Sequence, residues 1–169
     1  MHANLVWKGA FKLHKFRSTN KVKEDDEELT VYLAMKGNVG AEVFGFLTGA
    51  DLENRSWQDT FWGQDGAPRH PALDVINLLT ESDGHIVELD PVGYRDENAT
   101  IRKWRLRPVY GHQFSAQFEI LLRPETNAVI GKLAHQEGHE LQVHIQGGRT
   151  RDAFSEQQEE GHGVAEAEA

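Results

Sequence analysis

The chain contains no cysteine among its 169 residues. This absence excludes disulfide bonds, thiolate nucleophiles, iron–sulfur clusters and zinc sites with cysteine ligands, and it fits a reducing compartment, so we expect a cytoplasmic protein. Long apolar runs are also missing: no stretch approaches the ~18 consecutive apolar residues of a membrane span. Residues 1–4 lead into a lysine-bearing alternating segment, not into the apolar block of a signal peptide. We therefore expect neither a membrane anchor nor a secretory signal.

The motifs of the common catalytic classes are missing as well. The few serines do not lie in G-x-S-x-G, and the chain has neither G-x-x-x-x-G-K-[ST] nor G-x-G-x-x-G. Pairs of acids such as Asp83 and Glu88 occur in any chain with this many carboxylates, and sequence spacing alone does not place two carboxyls in one cleft. We therefore predict a non-enzymatic protein without a cofactor.

Charge is present in both signs but unevenly placed along a chain of net charge −9. Residues 1–23 carry six cations and no carboxylate, residues 24–28 supply five carboxylates in a row, and residues 147–169 carry two arginines and six acids. Without these two acidic segments, 16 cations balance 16 carboxylates. The acidic average therefore does not exclude an anionic ligand on a basic face.

Apolar residues alternate with polar ones through most of the chain, which is typical of strands with one wet face. The pattern predicts a hairpin over residues 5–36 with its tip at 17–28, a bulged third strand at 39–47, and later strands at 85–89, 99–107, 112–122 and 141–145. Residues 72–81 fit a short helix or a buried strand, and residues 124–136 predict a helix. Phe114, Phe118 and Ile120 share one face of their strand and are expected in the core.

These elements define a mainly β fold: a β-sandwich or a partly open OB-like barrel of about seven strands, with one or two short helices. Apolar residues nearly vanish from residue 147 onward. We therefore predict a single domain over residues 1–146 and a disordered acidic tail over residues 147–169.

Three histidines near the C-terminus are the strongest metal-ligand candidates. His135 and His139 have the H-x3-H spacing that places two imidazoles on one helical face, and His144 follows in the last strand. However, Gly138 is expected to end the helix before His139, and a glutamate is missing from the position that a zincin motif requires. Three surface histidines are the favoured interpretation, so these residues are weak candidates only.

A row of cations marks the strand over residues 99–107. Strict alternation places Lys103, Arg105 and Arg107 on one face, and Arg102 with Trp104 on the other. Such a row suits a phosphate backbone, and Lys8 and Lys12 on the first strand are candidates of the same kind. Single-strand binders usually carry aromatic side chains on the same exposed surface, whereas Trp104 is expected inside. Two ordinary solvated sheet faces are the competing interpretation.

Three large aromatic residues, Trp57, Phe61 and Trp62, stand in a polar, irregular stretch. Anchoring a long loop to the core is the commoner role of such a cluster. If the three side chains are exposed, they form a contact patch for a protein partner. Both interpretations stay open at the level of the sequence.

An OB-like barrel followed by an acidic tail is similar to the architecture of single-stranded DNA-binding proteins. The likeness extends to no residues, since those tails end in a bulky apolar residue and this chain ends with alanine. The general character of the sequence also resembles that of small accessory proteins of bacteriophages or mobile elements. Our leading hypothesis is a non-enzymatic protein acting near nucleic acid. The alternatives are a protein–protein interaction module, such as a phage assembly or anti-defence factor, and a histidine-ligated metal hydrolase.

The absence of apolar periodicity beyond residue 148 generates the first prediction. Deleting residues 149–169 should leave the melting temperature nearly unchanged. If nucleic acid is the ligand, the deletion should also tighten binding, because a segment rich in carboxylates competes for a basic surface. Thermal melting and a binding titration of both forms test this, and a melting temperature lowered by several degrees would show that the segment docks on the domain.

Overall fold

The computed structural model describes residues 6–23 and 26–151. The helices in these ranges have seven or eight residues, and none is long and apolar enough to cross a membrane. The elements, in chain order, are β1 (Val6–Lys23), β2 (Asp26–Gly40), α1 (Ala41–Thr48), α2 (Arg55–Phe61), β3 (Ile76–Leu78), β4 (Glu81–Asp90), β5 (Tyr94–Val109), β6 (Gln113–Leu122), α3 (Asn127–Ala134) and β7 (Glu140–Arg151). The predicted mainly β fold of about seven strands is confirmed.

All strand pairs are antiparallel and belong to one sheet, in the order β3-β5-β4-β7-β1-β2-β6. An additional ladder joins β5 to β6, which otherwise stand near opposite ends of this order. The ladder closes β1, β2, β6, β5, β4 and β7 into a ring, and the short β3 pairs with β5 beyond the end of the β4 ladder, on the edge of β5 opposite β6. Of the two architectures left open above, the strand pairing therefore corresponds to the barrel.

Aromatic side chains fill much of the barrel interior. The rings of Trp104 and Phe118 stack with their centroids 4.5 Å apart, and Phe118 meets Phe11 and Trp7 edge-on at 5.3 and 5.8 Å. Gly37 accommodates this cluster, because a Cβ atom at that position would collide with the ring of Phe11. The ring of Phe11 thus occupies space that a side chain at position 37 would take.

One segment that was expected to be a strand is a helix. Residues 39–47 read as a bulged strand, but β2 ends at Gly40 and α1 begins at Ala41. The apolar residues Val43 and Leu47 lie one helical turn apart and are both buried, which is the spacing of a helix that packs on the core. Gly49 ends α1 in the left-handed conformation with φ of 76°. The prediction for residues 39–47 was wrong because a short apolar run fits either period.

The C-terminal boundary also differs from the one expected. β7 continues to Arg151, pairing with β4 as far as Glu81, so residues 147–151 belong to the barrel and not to a tail. Gly147 and Gly148 have φ values of 69° and 96°, and a side chain at Gly148 would collide with the ring of His85. The two glycines thus allow the backbone of β7 to pass directly over the buried ring of His85. The remainder of the predicted tail, residues 152–169, lies outside the described residues, so a deletion meant to spare β7 begins at Asp152.

Truncation of the ring at the centre of the aromatic cluster should destabilise the fold strongly. Phe118 is buried on β6 as expected, and Phe118→Ala should lower the free energy of unfolding by about 3–5 kcal/mol, through lost burial and a residual cavity. Urea denaturation measures this loss. Gln117→Ala, at an exposed neighbouring position, is the matched control and should change stability by less than about 0.5 kcal/mol. Equal stabilities of the two variants would contradict the packing described here.

Candidate functional site

Cross-strand pairing gathers cations on one outer side of the barrel. One row of paired residues runs from Lys12 on β1 through Lys36 on β2 and Gln117 on β6 to Arg105 on β5. Parallel rows contain Lys15 and Arg17 on β1, and Arg107 opposite Ser115. We call this surface the basic face; it consists of Lys12, Lys15, Arg17, Lys36, Lys103, Arg105 and Arg107.

Lys12 and Lys36 are direct cross-strand partners. Such partners on one face have Cβ atoms about 4.5–5.5 Å apart, and like charges in this arrangement are destabilising. A sheet face that only has to stay solvated can mix the two signs of charge. An unbalanced cluster of cations is therefore a feature that a bound anion would explain.

A β-bulge sets the direction of the side chains on β5. Register shifts between Arg102 and Arg105, and Lys103 has φ of 57°, a left-handed conformation. Because of this extra residue, Arg102 does not point into the core with Trp104, as strict alternation predicted. Arg102 lies on the outer surface and bonds to Glu119, while Trp104 stays buried.

The described strand register places Glu119 among these cations, and it places Glu140 beside Lys12 at their edge. Oε1 of Glu119 accepts a hydrogen bond from Nε of Arg102 at 2.8 Å, and its Oε2 lies 3.8 Å from Nζ of Lys103. The carboxylate side chain is only 14% exposed. Arg102 therefore neutralises the partly buried carboxylate of Glu119. The seven cations of the basic face keep their excess of positive charge.

Tyr32 supplies an aromatic ring on the same surface. It is half-buried on β2, directly opposite Arg17, whose guanidinium carbon lies 4.1 Å from the ring centroid. The guanidinium of Arg102 approaches the same ring at 5.6 Å. Together with Lys15, Lys103 and Glu119, the stacked pair of Arg17 and Tyr32 lines a groove of about 220 Å³.

The sequence pattern assigned Tyr32 to the wet side of β2 but did not connect it with the cations of β5. These residues are far apart in the chain, and only the β1–β2–β6–β5 pairing brings them together. The alternation of Val31 and Leu33 around Tyr32 was the one signal of its exposure. Recognising Tyr32 as a site residue also required the strand order, which the sequence left open.

The two lysines predicted on β1 as phosphate contacts lie in different surroundings. Lys12 belongs to the basic face, although Glu140 on β7 is its partner on the other side and marks the edge of that face. Lys8 lies opposite His144 on β7, away from the rows of the basic face. It lines a separate cavity of about 460 Å³ at one end of the barrel.

The aromatic segment packs against the core. Trp62 has no exposed surface, and its indole N–H donates to the backbone oxygen of Val109 at 2.8 Å. Phe61 is half-buried against Phe114, and the indole N–H of Trp57 donates to the backbone oxygen of Asp51 at 2.7 Å. The segment therefore anchors its loop, and Trp62 offers no surface to a partner in this fold.

The three histidine candidates lie on different elements. His135 is the C-cap of α3, His139 precedes β7, and His144 lies within β7 with its Nδ1 3.7 Å from Oε2 of Glu88. Among residues 6–23 and 26–151, no three histidine or acidic side chains are grouped closely enough to hold a metal ion. The structure thus does not bring His135, His139 and His144 together.

A serine and a histidine meet inside the barrel, in the arrangement used by nucleophilic enzymes. Nε2 of His85 lies 2.6 Å from Oγ of Ser82. Both side chains are buried, the ring of Phe46 lies against His85, and the backbone of Gly148 covers the imidazole. The pair is therefore closed to solvent in this structure.

A second cavity, of about 540 Å³, lies between the start of β5 and the start of α3 and surrounds the buried carboxylate of Asp96. That carboxylate accepts hydrogen bonds from the Tyr94 hydroxyl and from the backbone N–H groups of Asn98 and Arg123. Burial and the neighbouring Asp96 raise the pKa of Tyr94 above its ordinary value, which keeps the hydroxyl a donor. These three hydrogen bonds to Asp96 hold the start of β5 against the loop after β6.

No protein-family model, curated protein or solved structure matches this chain. Its site is therefore interpreted from its own geometry.

The buried histidine generates a pH prediction. Burial lowers the pKa of His85 to about 4 from an ordinary value of 6.5, although Asp83 opposes the shift. The unfolded chain binds a proton first, so this contribution to stability is full above pH 6.5 and is lost as the pH falls toward 4. The loss amounts to about 3 kcal/mol at pH 4.

Urea denaturation of the wild type and His85→Gln at pH 7, 5.5 and 4 isolates this contribution from that of the titrating carboxylates. The free energy of unfolding of the wild type should fall more steeply with decreasing pH than that of the variant. Parallel pH profiles for the two proteins would show that His85 is not buried in its neutral form.

Proposed function

We propose that this protein is a non-enzymatic binder of single-stranded nucleic acid and that the basic face is its binding surface. The proposal rests on one observation: seven cations share one side of the barrel, and one of them, Arg17, stacks on the half-buried ring of Tyr32. Glu119, which lies among these cations, already pairs with Arg102. Lysine and arginine side chains in such a cluster neutralise phosphates and release the counterions condensed on them, which drives binding.

The aromatic ring favours a single strand over a duplex. Unpaired bases stack on aromatic side chains and on arginine guanidinium planes, and each stacked base contributes about 1–3 kcal/mol. Tyr32 and Arg17 provide both kinds of platform within the groove that Lys15 and Lys103 border. Phosphates beside the groove would meet cations while a base meets the stack.

The overall acidity of the chain does not oppose this function. Eight of the 27 carboxylates belong to residues 24–25 and 152–169, so the described residues hold 18 cations and 19 carboxylates. Two further carboxylates, Glu88 and Asp90, belong to β4, which contributes no cation to the basic face. This asymmetry would orient an approaching polyanion toward the basic face.

The two alternative hypotheses receive less support from the geometry. A protein-contact patch built on Trp57, Phe61 and Trp62 would need exposed rings, and Trp62 is buried. A hydrolase built on His135, His139 and His144 would need converging ligands, and these histidines lie on separate elements. The basic face needs no rearrangement to meet a phosphate chain.

The direct test removes three cations of β5. Lys103, Arg105 and Arg107 should all be replaced by alanine, and binding of a fluorescent single-stranded oligonucleotide should be measured at four salt concentrations. Each lost phosphate contact lowers the slope of log affinity against log salt by about 0.7, so the slope should decrease by roughly 2. Affinity should fall for every sequence alike, with the fold intact.

A matched control removes three exposed cations elsewhere. Arg55 on α2, Arg95 in the first half of β5 and Lys132 on α3 are exposed and lie outside the basic face. Their triple alanine variant has the same net charge and should keep the wild-type slope within about 0.7. Equal losses in the two variants would mean that net charge alone governs binding, and no wild-type binding at low salt would refute the proposal.

A further inference from the structure

The cavity at the barrel end adjoins the last row of the basic face. It is lined by Trp7, Lys8, Asn38, Glu42, His112 and Gln113, with a volume of about 460 Å³. Arg107 of the basic face is paired with Ser115, and Ser115 with Asn38. One row further along, Gln113 is paired with Gly40 at the cavity wall. A strand that follows the basic face past Arg107 therefore arrives at this cavity.

A buried donor without a partner lines the cavity. Trp7 is only 7% exposed, and its indole Nε1 has no hydrogen-bond acceptor within the described part of the chain. Buried polar groups are rarely left unsatisfied, and exceptions occur where a ligand or a water completes the bonding. An acceptor atom that reached this buried nitrogen from the cavity side would complete the hydrogen bonding of the indole.

The other lining groups determine which part of a nucleic acid fits. Glu42, exposed in the first turn of α1, adds a carboxylate that would repel a phosphate. Carboxylates accept hydrogen bonds from the exocyclic amino group of a base, while asparagine and glutamine pair with base edges through both a donor and an acceptor. Asn38 and Gln113 line the cavity together with Lys8. These lining groups include both hydrogen-bond donors and hydrogen-bond acceptors, and recognition of a base edge requires both.

We propose that the cavity at the barrel end receives one unstacked base of the bound strand. It would prefer bases that carry an exocyclic amino group and a ring acceptor, namely adenine, cytosine and guanine, over thymine and uracil. Glu42 accepts from the amino group, and the Trp7 indole donates to an acceptor of the same base. The inference rests on the proposed function and adds base preference to an otherwise sequence-independent surface.

The experiment compares oligonucleotides of deoxyadenosine, deoxycytidine and thymidine of equal length at one salt concentration. The wild type should bind the first two about tenfold more tightly than the third, as one good base contact discriminates. Glu42→Gln should remove most of this difference and leave the slope of log affinity against log salt unchanged. Glu53→Gln, which changes the same charge at an exposed position outside the cavity, should keep the wild-type preference.

A second variant tests the buried donor. Trp7→Phe retains an aromatic ring for packing but lacks the indole N–H, so it should also lose preference; thermal melting checks that it folds. Equal wild-type affinity for all three oligonucleotides, or the same preference in Glu42→Gln and Glu53→Gln, would overturn the base-reading role while leaving the basic face in place. Failure of the wild type to bind any oligonucleotide at low salt would instead remove the proposed function itself.

Discussion

The ladder between β5 and β6 is the constraint on which the rest of the structure depends. Without it, the sheet would be an open ribbon with β5 and β6 near opposite ends. The ladder places Arg105 beside Gln117, which already neighbours Lys36 and, through it, Lys12. Cations from the beginning and the middle of the chain thus become one surface. The same ladder sets Trp104 against Phe118 in the interior, so core packing and the outer charge pattern follow from one set of hydrogen bonds.

The β-bulge at Lys103 determines which side chains of β5 face the core and which face solvent. A large ring at Trp104 must face the core, and two cations must face solvent, within a strand whose side chains normally alternate. The extra residue allows Arg102 and Lys103 to reach Glu119 from the outside while Trp104 stays inside. Arg102 then both balances a partly buried carboxylate and approaches Tyr32. The groove around Tyr32 therefore depends on an irregularity in β5.

The sequence predicted the strands with clear alternation, such as β6 with Phe114 and Phe118, because period two is visible within one segment. It did not predict α1, since the apolar run before Gly49 is too short to distinguish a helix from a strand. It placed Arg102 on the wrong face because a bulge leaves no mark in an alternating pattern. Tyr32 was missed as a site residue for another reason: its relation to Arg17 and Arg102 exists only after strand order is known.

The most direct test of the account is a map of where a single-stranded oligonucleotide touches the protein. In a titration followed by NMR of backbone amides at low salt, saturable shifts are expected along β1, β2, β6 and the second half of β5. The largest should lie around Arg17, Tyr32 and Arg105. Shifts concentrated on the outer side of β4 and β7, around Glu88 and His144, would contradict it. The absence of any saturable shift would contradict it equally.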